Sequence, residues 1–255
     1  MRNFMKSNNP MLSDKTIAKA KAISVDRGRT GGPIYDDEST TMTVSGAVTK
    51  TLILVSIMMV STFFSYMFPM QIFMPVGALG GAAVFMLTSF KPHLAPMTGP
   101  VYALLKGLFV GTISAAYAFM YQGIIFQALS LTMSVLMVML IIHKSGLIPV
   151  TKKFRRGVTM AVGAIMIVYL ISWIGHFVGF QVPFIHESGP MGIGITVVII
   201  GVASLNLLLD FDNFEKGEQG KIAKHYEWYF GMGLLFTLVW LYVEFLRLLS
   251  KLQSD

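Results

Sequence analysis

From Thr51 onward the chain alternates long apolar runs with short polar ones. Seven runs, at about 51–68, 72–90, 101–119, 123–142, 157–178, 191–209 and 229–249, match in length the roughly 20 mostly apolar residues that a helix needs to cross a bilayer. Helices satisfy their backbone hydrogen bonds internally, as lipid demands. Barrel strands would instead show shorter segments of alternating polarity, and these runs do not alternate. Pro69, Met70 and Gln71 alone separate the first two runs, and little beyond Tyr121 and Gln122 divides the third from the fourth, so each pair should lie antiparallel. The pattern predicts an all-α polytopic membrane protein with seven transmembrane helices.

The polar segments orient it. Arg2, Lys6, Lys15, Lys19, Lys21, Arg27, Arg29 and Lys50 precede the first run, and Lys91 follows the second. Lys144, Lys152, Lys153, Arg155 and Arg156 lie between the fourth and fifth, and Lys216, Lys221 and Lys224 between the sixth and seventh. Thus 17 of the 20 Lys and Arg fall on one side of the predicted membrane. The excess of Lys and Arg in cytoplasmic loops then predicts a cytoplasmic amino terminus and an external carboxyl terminus.

Composition agrees. Hydrophobic residues make up 54% of the chain and charged residues 13%, about half the charged fraction of a soluble domain. A net charge of +7 and a pI near 9.5 could point to nucleic acid. Nucleic-acid binding, however, needs a basic patch on a folded soluble face, and these cations sit between apolar runs. No nucleic-acid partner is expected; the bilayer is. The absence of Cys excludes disulfides, thiolate metal sites and thiol nucleophiles. Residues 1–45 are polar and basic, with neither the apolar segment of a secretory signal nor a Gly at position 2. They are expected to form a largely disordered cytoplasmic arm before a transmembrane domain over 46–255.

An ionisable residue inside a membrane is costly and therefore a candidate for function. The sixth run ends in Leu209-Asp210-Phe211-Asp212, and the seventh holds Glu244 within Trp240-Leu241-Tyr242-Val243-Glu244-Phe245. Two carboxylates brought together in a low dielectric cannot both ionise comfortably, so such a pair would sense protons. Ionised, Asp210, Asp212 and Glu244 would offer hard oxygen ligands to calcium. Structural readings compete: Glu244 with Arg247 as an ion pair three residues apart, and Asp210 and Asp212 as a solvated helix end. Lys106 has a long stem that could reach the interface from one turn inside its run. His176 lies near the outer end of the fifth run, and His186 and Glu187 lie in an outer loop. Gly77-xxx-Gly81 and Gly107-xxx-Gly111 have the spacing of close helix packing. Zinc-hydrolase, nucleophile-elbow and phosphate-loop motifs are all missing, so no enzyme and no bound cofactor is expected.

Several stretches, in order, resemble the Bax inhibitor-1 / YccA-like family, in a bacterial branch with an extended amino-terminal arm. They are Asn9-Pro10-Met11-Leu12, Met42-Thr43-Val44 before Lys50-Thr51, Phe154-Arg155-Arg156-Gly157 and Pro183-Phe184-Ile185-His186 with Gly189-Pro190. Asn206 through Asp212, Glu227-Trp228-Tyr229 and Trp240 through Glu244 complete the set. The resemblance implies a bacterial inner-membrane protein whose last helix is central, with six others around it. It implies a pH-sensitive calcium leak, calcium being the permeant ion, gated by acids on the sixth and seventh helices. Asp210 matches the first acid; Glu244 stands where the second is usually Asp. The alternative it implies is a non-transporting regulator or partner of a membrane protease or stress pathway. Asp210 and Glu244 differ in depth by roughly 20 Å when placed along ideal helices at 1.5 Å per residue. A seventh helix extending back to about Lys221 would reduce that gap; otherwise Glu227 becomes the partner of Asp210 and Asp212.

Overall fold

The computed structural model describes residues 40–178 and 189–254. They hold seven helices long and apolar enough to cross a membrane. These are α1 (Val44–Met67), α2 (Phe73–Phe90), α3 (Ala95–Met120), α4 (Ile124–Ser145), α5 (Lys152–Val178), α6 (Pro190–Gln219) and α7 (Tyr226–Gln253). The chain is thus an all-α polytopic membrane protein. His186 and Glu187 fall outside the described residues.

Local chemistry fixes the helix ends. Thr43 caps α1, its side chain accepting the Gly46 N–H at 2.9 Å. Pro190 sits in the first turn of α6, where its missing N–H costs nothing. Gly123 and Gly146 bracket α4 with φ of 72° and 68°, a left-handed conformation that glycine adopts without strain. Lys221 adopts φ of 46° between α6 and α7, so α7 does not reach back to Lys221 but begins at Tyr226.

Four helices start or end well outside the predicted runs, always on the side that carries the basic loops. α1 begins at Val44, α3 at Ala95 and α5 at Lys152, while α6 continues ten residues past Leu209. Hydropathy marks only the part of a helix inside hydrocarbon; backbone hydrogen bonding continues into the headgroups. The described residues before α1 also pack on the bundle. Met42 is buried and donates its N–H to Ile222 O at 2.8 Å, and Thr41 forms a bridge with Ala223.

α7 is the centre of the bundle. Within its most apolar stretch 67% is buried, against 44% for α6 and 6% for α5. It meets α1 where Gly231 faces Thr51, α2 through Phe85 stacked on Phe236, and α3 through Ser114 bonded to Tyr242. α4, α5 and α6 complete the ring around it. Glycines set the approach of α3 to its neighbours. A Cβ on Gly107 would meet Met58 O and Ser61 of α1, and one on Gly77 would meet Leu105 O and Phe109 of α3. Ser61 and Ser65 of α1 donate to the α3 carbonyls of Leu104 and Gly107 at 2.8 and 3.2 Å. Gly77 lies in a π-helical turn, Val76–Gly80, within α2.

Candidate functional site

The four candidate acids of α6 and α7, Asp210, Asp212, Glu227 and Glu244, occupy four separate polar settings. Asp210 lies inside α6, since that helix continues to Gln219. Its Oδ2 accepts from Thr237 Oγ1 of α7 at 2.6 Å and from Asn206 Nδ2 at 3.4 Å. Asn206 also donates to Thr237 Oγ1 at 3.0 Å, closing a three-residue cluster. The position one turn before Asp210 places Asn206 on the same helix face. Every hydrogen-bond partner of Asp210 among the described residues is neutral, and it has no ion pair there.

Glu244 is 1% exposed and fully engaged. Arg247 Nη1 donates to both of its carboxylate oxygens at 3.1 Å, and Tyr169 OH of α5 donates to Oε1 at 2.6 Å. Arg247 also donates to Tyr169 OH at 3.1 Å and lies over its ring, 5.3 Å from the centroid. The ion-pair reading of Glu244 is therefore the one realised. Farther along the same helix Lys251 is buried, donating to Gly192 O at 3.0 Å and Thr196 Oγ1 at 3.2 Å on α6.

Asp212 is turned away from both. Its Oδ2 pairs with Arg155 of α5 and with Lys216 Nζ at 2.5 Å, while Arg155 Nη1 donates to Asn213 Oδ1 at 2.8 Å. The acid is a half-buried clasp between α5 and α6 rather than a solvated helix end. Glu227, at the start of α7, accepts from Thr43 N at 3.1 Å and Thr43 Oγ1 at 3.4 Å. It holds the start of α1 and does not join Asp210 or Asp212.

Asp210 and Glu244 are thus not bonded to each other. Asp210 is level with Thr237, seven residues before Glu244, a separation of roughly 10 Å along α7 at 1.5 Å per residue. Starting α7 at Tyr226 does not close that gap. Nor do Asp210, Asp212 and Glu244 converge as ligands: among the described residues no group of three acidic or histidine side chains could hold a metal ion.

Lys106 sits three turns inside α3, deeper than one turn from the helix end. Its ammonium lies 5.7 Å from the Tyr102 ring and 5.6 Å from that of Phe109. Outside the spans, the His225 ring packs at a tilt against Tyr226, and burial together with nearby His93 lowers its pKa below the usual histidine value.

A sequence model of Bax inhibitor 1 like proteins matches residues 9–254, nearly the whole chain. The chain belongs to the Bax inhibitor-1-like family. Neither a curated protein nor a solved structure matches it. It is accordingly a multi-pass membrane protein of that family. Within the family fold the central last helix carries two of the four polar settings, and Thr237 extends it to a third. Thr237 and Tyr169 do not stand out as site residues in the sequence, because a threonine or a tyrosine in the middle of an apolar run carries no signal of its own. Arg155 is visible in the sequence as a loop cation and part of a family-like stretch, not as a partner of Asp212.

Proposed function

We propose that this Bax inhibitor-1-like protein is a proton-regulated cation leak, with calcium as the expected ion, in a bacterial inner membrane with its amino terminus in the cytoplasm. The observation that carries the reading is Asp210: a carboxyl inside a membrane helix whose hydrogen-bond partners are all neutral. A charge there is expensive, since Arg155, the cation whose field reaches it, is paired with Asp212. Asp210 can avoid it by binding a proton or by meeting a cation, and a proton-gated pathway needs that choice.

Protonated, Asp210 is neutral and attracts no cation, so the pathway is shut; ionised, it admits one. Flux should therefore rise with pH. Glu244 acts at a distance in this scheme. With Arg247 and Tyr169 it fastens α5, the least covered helix, to the central α7. The Arg155–Asp212 clasp fastens the same helix to α6 on the basic side.

The test is calcium entry into liposomes loaded with an indicator, from pH 6 to 8. Wild-type flux should rise about threefold per pH unit around the midpoint and approach about tenfold per unit below it, the limit for one titrating group. Asp210→Asn should be low and flat across the range. Glu244→Gln, which frees the α5 fastening, should raise flux at every pH. His225→Gln should leave the pH response intact, which separates Asp210 from the other proton-binding candidate. A pH response that survives in Asp210→Asn would sink the proposal. The competing reading, a regulator or partner of a membrane protease, predicts no flux at any pH and loss of a co-purifying protein when residues 1–39 are deleted.

A further inference from the structure

Where α1 and α7 begin, on the basic side, the molecule has a cleft of about 230 Å³. Thr43, Ser45, Thr49, Lys50, Lys224 and Glu227 line it. Glu227 is 2% exposed, and its Oε1 accepts both bonds from Thr43. Its Oε2 accepts none among the described residues. The carboxylate lies so close to Gly46 that a Cβ there would fall on it, and this close approach requires glycine. Neither Lys50 nor Lys224 has a carboxylate partner among the described residues; Lys50 lies over the Trp228 ring, 5.1 Å from its centroid. The other nearby acid, Glu218, is already bonded to Val44 N at 3.1 Å and does not line the cleft.

These charges define the occupant. A simple anion would be repelled by the buried Glu227, and a simple cation by the two lysines. A metal ion lacks the cluster of acidic or histidine ligands it would need. A group carrying an ammonium and a phosphate a few ångströms apart satisfies all three, with the ammonium donating to Glu227 Oε2 and the phosphate meeting the lysines and the Ser45 hydroxyl. We propose that the cleft binds a phosphoethanolamine group. Its most direct source is the headgroup of phosphatidylethanolamine, because the cleft opens where two membrane helices begin, beside a Trp–Lys pair of the kind that marks a bilayer surface.

Native mass spectrometry of the purified full-length chain tests this with added phosphatidylethanolamine, phosphatidylcholine and phosphatidylglycerol. Wild type should hold phosphatidylethanolamine about tenfold tighter than phosphatidylcholine, whose methylated nitrogen has no N–H to donate. Glu227→Gln should bring the two lipids to parity. Because Glu227 also anchors α1, Lys224→Gln is the safeguard: Lys224 is exposed, and its loss should weaken phosphatidylethanolamine about fivefold without unfolding the chain. Equal binding of phosphatidylethanolamine and phosphatidylcholine by wild type, or unchanged binding in Lys224→Gln, would overturn the proposal. Soluble phosphoethanolamine at millimolar concentration separates the sources. Displacement of the lipid supports a soluble occupant of the same chemistry; no displacement, with the lipid preference intact, supports the membrane lipid.

Discussion

Arg247 is the residue that pairs with Glu244 inside the protein. Its guanidinium reaches both carboxylate oxygens, while Tyr169 supplies a third donor. Removing one member of a buried pair leaves an uncompensated charge, which costs about 3 kcal/mol or more. Arg247→Gln should therefore lower the thermal midpoint in detergent strongly. The double variant Glu244→Gln with Arg247→Gln should recover much of that loss, because two neutral groups can bond to each other and to Tyr169. Equal destabilisation by the single and double variants would show that the charge itself is not what the site balances. At this scale the sequence named the acids and only those partners that lie a helical turn away on the same helix. Arg247 was legible from its three-residue spacing to Glu244, and Lys216 could have been found four residues after Asp212. Thr237, Tyr169 and Arg155 come from other helices, and no local spacing reports which helix lies opposite.

Among the elements, α3 depends on bare backbone. A Cβ on Gly111 would run into the Ser65 hydroxyl and the Thr62 carbonyl of α1, where the two helices already share serine-to-carbonyl hydrogen bonds. Gly111→Ala should cost about 1–3 kcal/mol through overpacking, measured as a fall in the thermal midpoint. Gly163→Ala on α5 is the control. Nothing lies within 4 Å of a Cβ there, and alanine is favoured over glycine in a helix by up to about 1 kcal/mol, so this change should be neutral or mildly stabilising. The glycine spacings at 77/81 and 107/111 were readable in the sequence as close packing, and they are. All seven helices were readable too, because apolar length is a direct physical requirement of the bilayer. Their ends on the basic side were not, since a helix continues among headgroups after its apolarity stops. That shortfall made Asp210 and Asp212 look like the frayed edge of a span when they lie within a longer helix.

In the whole molecule, the most buried helix is also the last of the seven in chain order. The resemblance in the sequence implied that arrangement, while hydropathy alone could not: the seventh run is no more apolar than its neighbours. Its consequence concerns how the protein is made. Chains emerge amino terminus first, so six helices enter the membrane before the one they surround exists. Until Tyr226 and the residues after it arrive, Asp210 has no Thr237 and the α1 glutamate contact has no Glu227. The early helices must wait in lipid as a loose crown around an unfilled axis, with membrane acids exposed that the finished bundle encloses. A chain stopped after Gly220 should accordingly be inserted but rapidly degraded. Supplying residues 221–255 as a separate chain in the same cell should restore its level, read by immunoblot of membranes. Rescue in trans would mark the final helix as a keystone that can be set independently, and a stable six-helix product would show that the crown can stand by itself.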